Sequence, residues 1–159
     1  MRVGESLRLR RYAIVVGPGV VDVVASLPVA ARHGLLRDQA RSLQGAWVTC
    51  ASESMTPTVR PGQRVRVRSG AGKRPRVRSG AVVLFETNTG EQLVLHRVVF
   101  ASRWLPWFVH VGDAGQRAGI SRRERVVGVA DLPRRRPSVS ALWKSSARVI
   151  RAARRMASR

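Results

Sequence analysis

Two serines separated by one residue stand in the segment Cys50-Ala51-Ser52-Glu53-Ser54-Met55-Thr56-Pro57-Thr58-Val59-Arg60-Pro61-Gly62. On an extended backbone, residues two apart project to the same side. One hydroxyl can then act as a nucleophile while the other donates a hydrogen bond to the charge that develops beside it. Met55 offers a flexible apolar surface next to them, suited to a small side chain of a bound peptide. Pro57 and the Pro61-Gly62 pair turn the chain out of any regular strand. Small hydroxyl residues between a cysteine and a proline also describe an ordinary loop, so both readings stand at this point.

Four further segments follow: Gly80-Ala81-Val82-Val83-Leu84-Phe85, Leu93-Val94-Leu95-His96-Arg97-Val98-Val99, Trp107-Phe108-Val109-His110-Val111-Gly112-Asp113 and Arg125-Val126-Val127-Gly128-Val129-Ala130. In this order they resemble the signal peptidase family of serine endopeptidases, in the branch found in the endoplasmic reticulum, archaea and spore formers. That branch shows an S-G-S-M-x-P segment, a G-D-V-V-x-F strand, an H-R-V strand, a K-G-D turn and a closing V-G-x strand. The resemblance covers roughly residues 47 to 130. It implies Ser54 as nucleophile, His96 as general base and Asp113 as the carboxylate that orients the histidine. It also implies that Ser52 and the Ser54 N–H bind the oxyanion, with Met55 and Pro57 beside the substrate. Arg97 cannot be the base, because a guanidinium does not deprotonate in proteins. His110, which lacks the H-R-V context, is the competing histidine.

The chain departs from the pattern at Glu53, where the family has glycine, and a positive φ there would be strained. Gln63 and Ala81 replace acids that follow glycine. A histidine base of ordinary pKa, about 6.5, predicts activity rising through roughly pH 6 to 7.5.

Composition bounds the rest. A chain of 159 residues is one domain with tails, and 44% hydrophobic content with 5% aromatics builds a core mainly from Val, Leu and Ala. Thirty Lys and Arg against nine Asp and Glu give +21, a balance that attracts nucleic acid, anionic lipid or acidic peptides. The single cysteine, Cys50, excludes an internal disulfide, and no Cys/His spacing suggests a metal or any other cofactor.

These residues need elements to position them. Residues 1–45 form a basic and apolar segment ending in a helix over 29–44, with Val29, Leu35, Leu36, Ala40 and Leu43 on one side and His33 at the surface. The apolar stretch 12–31 is broken by Gly17-Pro18-Gly19 and Pro28 and carries Asp22, which disfavours a membrane span. Residues 46–132 form the peptidase domain. There Arg64-Val65-Arg66-Val67-Arg68 alternates, with valines inward and arginines to solvent. Arg66-Val67-Arg68-Ser69-Gly70-Ala71 recurs as Arg76-Val77-Arg78-Ser79-Gly80-Ala81, read as two strands around a basic loop. Residues 133–159 are a basic linker and an amphipathic helix over 138–158, suited to lie on an anionic membrane surface.

The expected fold is mainly β: coiled antiparallel sheets of the signal peptidase type, with flanking N-terminal and C-terminal helices. The expected function is leader or signal peptide removal by a Ser-His-Asp endopeptidase, cytoplasmic or peripheral at the membrane, acting on a peptide or precursor protein. The alternatives are a basic nucleic-acid-binding module and an inactive peptide-binding member of the fold.

Overall fold

A computed structural model describes residues 28–42, 44–70, 75–115 and 118–135. The apolar segment before residue 28 and the amphipathic helix expected over 138–158 lie outside them. No helix among the described residues is long and apolar enough to cross a membrane.

The described chain is mainly β. Helix α1 (Val29–Arg41) leads into strands β1 (Ala46–Thr49), β2 (Arg64–Arg68), β3 (Val82–Glu86), β4 (Leu93–Ala101), β5 (Trp107–Val111), β6 (Gly119–Arg122) and β7 (Val126–Ala130). They form one antiparallel sheet in the order β1-β2-β7-β3-β4-β5-β6. The last strand thus enters between the second and third. The period-2 pattern of β2 does what it dictates, burying Val65 and Val67 while Arg64 and Arg68 stay exposed.

The sheet is covered on both faces. On one, Val65, Val67, Val82, Leu84, Leu93 and Val127 pack with Leu36 and Ala40 of α1 and with Met55 and Val59 of the serine segment. On the other, Val83, Phe85, Val98, Phe108 and Val126 pack with Val77. Because β3 serves both clusters, its four residues Val82 to Phe85 are all buried, which explains their unbroken apolar run. The helix therefore belongs to the same core as the strands.

Several expectations are corrected. The buried face of α1 is His33, Leu36 and Ala40, while Val29 and Leu35 are exposed. His33 is inside because Glu86, at the end of β3, meets its Nδ1 at 3.4 Å and also pairs with Arg37. The second arginine repeat is not a strand. Pro75 carries no N–H, Gly80 turns at φ +83°, and ladder pairing with β4 begins only there, through Gly80 N–H to Val98 O at 2.8 Å. Strand β6 escapes the sequence reading because four residues, Gly-Ile-Ser-Arg, show no alternation long enough to see.

Candidate active site

The serine segment is a loop between β1 and β2, anchored by its apolar members. Met55 and Val59 are fully buried, and the loop closes on itself through Cys50 N–H to Gln63 O and Gly62 N–H to Cys50 O. Ser52 is extended, and Glu53–Met55 then form one turn of 3-10 helix rather than a continued strand. Among the described residues no non-glycine residue has a positive φ, so Glu53 sits where glycine was expected without strain. The turn brings Ser52 Oγ to 3.0 Å from Ser54 Oγ. The Ser54 N–H, at the start of the turn, has no hydrogen-bond partner among the described residues and remains a donor. Met55, expected to offer a surface to substrate, is fully buried and anchors the turn. Pro57 is exposed.

Ser54 rests on Gly112, just past β5. A Cβ on that residue would collide with the Ser54 carbonyl oxygen and lie 3.3 Å from the Ser54 Cβ. Ser54 O also accepts from the Ala114 N–H at 3.1 Å. Strands β4 and β5 pair Arg97 with Val111 and Val98 with His110. Continued by one residue, that register puts Gly112 opposite His96. Paired residues face the same side of a sheet, so Ser54 occupies the space above the cross-strand neighbour of His96.

His96 itself bonds to His110: the two Nδ1 atoms are 3.0 Å apart. Its Nε2 has no hydrogen bond among the described residues, and it is not one of their buried unpartnered atoms. It is therefore free to take a proton in the tautomer that carries the hydrogen on Nδ1. No hydrogen bond joins Ser54 to His96; the Ser54 hydroxyl is turned toward Ser52. Burial pushes the His96 imidazole down to about 4, against an opposing pull from the Asp113 charge. Burial and then the neighbouring His96 take His110 down to about 3. Both rings are neutral at pH 7, so a base here would be deprotonated well below the range of about pH 6 to 7.5 expected of an ordinary histidine.

Asp113 is not hydrogen-bonded to His96. Alternation along β4 sends Arg97 to the opposite face, where its Nε and Nη2 hold the two Asp113 oxygens at 2.7 and 2.6 Å. The same guanidinium reaches Gly80 O at 2.8 Å and Thr58 Oγ1 at 3.4 Å. Burial alone would raise the Asp113 carboxyl, but hydrogen bonding from Arg97 and Thr58 outweighs it, with the charges of Arg97 and Arg135 adding. The carboxyl is therefore held below the usual value. Asp113 reaches His96 through its field, and its structural work is to lock Arg97.

Four further residues border Ser54 and His96: His110, which the sequence offered only as a competing base, and Gly112, Gly119 and Ser121, which it did not single out. His110 stands two residues from the position opposite His96, so the pairing is a diagonal contact set by the register of β4 and β5, which the sequence does not show. Gly112 had no sequence signal apart from its place before Asp113. Among the described residues no cluster of His, Cys, Asp and Glu could hold a metal ion. Cys50 is a buried free thiol donating to Ser52 O at 3.3 Å. Comparison with protein-family models, with curated proteins and with solved structures finds no match.

Proposed function

We propose that this chain is a serine endopeptidase similar to the signal peptidases, cutting an extended peptide after a small residue. The observation that carries the reading is Ser54 seated on Gly112, the residue across from His96, with the His96 Nε2 unbonded. Ser54 Oγ attacks the carbonyl once its side chain leaves Ser52. His96 Nε2 takes the proton and returns it to the leaving amine. The Ser52 hydroxyl and the Ser54 N–H stabilise the oxyanion, at about 3 kcal/mol for a well-placed donor. Strand β1 runs into this loop and is an edge of the sheet. A peptide can pair along it as an added strand, gaining affinity from main-chain hydrogen bonds. The charge of +21 supports acidic precursors as substrates and work in the cytoplasm or at an anionic membrane surface.

An inactive peptide-binding protein is the second reading, favoured by the Ser54 hydroxyl bonding to Ser52 rather than to His96. Mass spectrometry of a peptide library incubated with the wild-type chain and with Ser54→Ala separates the two. The peptidase reading expects new termini after small residues with wild type and none with Ser54→Ala. Cleavage by Ser54→Ala at the wild-type rate, or peptide binding with no cleavage by either chain, refutes it.

A further inference from the structure

We propose that His110, backed by Ser121, is the positioning residue that fixes the tautomer of His96, the task that the resemblance assigns to Asp113. This rests on the peptidase reading for its catalytic meaning and on geometry for its substance.

His110 is held from every side. Its ring lies 4.4 Å, centroid to centroid, from Phe85 and 5.7 Å from Phe108. Its register partner is Gly119, where a Cβ would stand 2.6 Å from Cε1 and 2.8 Å from Nε2, so only glycine admits the ring there. Nε2 is 3.1 Å from the hydroxyl of Ser121, which is buried. With the ring so held, Nδ1 points at His96 Nδ1.

Two facing ring nitrogens at 3.0 Å share one proton, because two N–H groups would collide and two lone pairs would repel. Each neutral imidazole carries one N–H, so the two tautomers are linked. If His96 Nδ1–H donates to His110 Nδ1, then His110 carries its proton on Nε2 and donates it to Ser121 Oγ. The His96 Nε2 lone pair is then exposed on the face where Ser54 sits. In the opposite arrangement Ser121 donates to His110, His110 Nδ1–H donates to His96, and His96 Nε2 bears a hydrogen. That second state cannot accept the Ser54 proton. A hydroxyl can serve either state, and the proposal is that Ser121 accepts from His110 Nε2–H, which selects the first. When His96 takes up the Ser54 proton, its Nδ1–H bond to His110 becomes charge-assisted and strengthens. Asp113, committed to Arg97, contributes its field without a hydrogen bond.

The test uses the full chain with 15N-labelled histidine, which gives only three imidazoles to assign. At pH 7, 15N–1H correlation spectra are expected to show His96 protonated on Nδ1 and His110 on Nε2. Ser121→Ala is expected to move population toward the reverse pair. In the peptide assay, His110→Leu is expected to lower kcat about 100-fold with KM little changed. His110→Asn, which keeps an acceptor oxygen where Nδ1 stood, is expected to restore most of that loss. A merely structural His110 would not separate Leu from Asn in this direction. His96 protonated on Nε2 in the wild-type chain, or His110→Leu cleaving at the wild-type rate, overturns the proposal. The spectra need no substrate. The expected tautomers in a chain that cleaves nothing would uphold the relay and sink the peptidase.

Discussion

Acid should destabilise this protein well above the pH at which its carboxylates titrate. His96 is held at about 4 and His110 at about 3, whereas both titrate near 6.5 in the unfolded chain. Their folded values are depressed, so the stability they contribute is complete above pH 6.5 and is lost as pH falls toward 4. At pH 5, protonation stabilises an unfolded imidazole by about 2 kcal/mol and the folded ones hardly at all. The pair therefore removes about 4 kcal/mol between pH 7.5 and 5, a large share of the 5 to 15 kcal/mol typical of a domain. His33, also lowered by burial, acts in the same direction. Urea unfolding followed by tryptophan fluorescence at pH 7.5, 6 and 5 reads this as a midpoint falling by about 2 M. The double variant His96→Gln/His110→Gln should keep only the shallower dependence that His33 supplies. A wild-type midpoint that does not move, or a double variant with the wild-type slope, refutes the claim that the buried pair is neutral.

Gly112→Ala should lower stability by about 1 to 3 kcal/mol by overpacking against Ser54, and should cost peptidase activity out of proportion to that loss. Thermal melts and cleavage rates on the same preparation check it, and unchanged activity would mean that Ser54 does not need its seat on Gly112. Asp113→Asn should destabilise the fold by about 3 kcal/mol or more, because it leaves the Arg97 guanidinium, 4% exposed, without its carboxylate. Chemical denaturation measures this, and a variant of wild-type stability would show that Arg97 is satisfied without the charge.

The strands could be read where side-chain chemistry alternates over several residues, as in β2, or runs apolar without a break, as in β3. The paired serines and His96 were legible for the same reason: each belongs to a short pattern with its own local meaning. What could not be read depends on register. Arg97 was set aside as unable to act as a base, yet it takes both oxygens of Asp113, and that pairing exists only because β4 and β5 align Arg97 with Val111. Met55 looked like a surface for substrate because the sequence does not say which way a loop turns, and its 3-10 turn faces the core. His33 looked exposed because its partner Glu86 lies 53 residues away on β3.

The position of β7 sets the order in which this molecule can become competent. Strands β1 and β2 and the Ser54 loop form one hairpin unit, and β3 to β6, with His96 and His110, form another. The two units share no ladder. Within the sheet only β7 lies between them, pairing Val67 with Ala130 on one side and Val83 with Val129 on the other. During synthesis the serine emerges roughly 75 residues before the strand that brings it to the histidine's sheet. Such non-local closure is slow compared with hairpin formation. A ribosome-bound chain that has not yet released Ala130 therefore carries Ser54 and His96 on separate, undocked pieces, and any cleavage of peptides by this protein would wait until that strand had emerged.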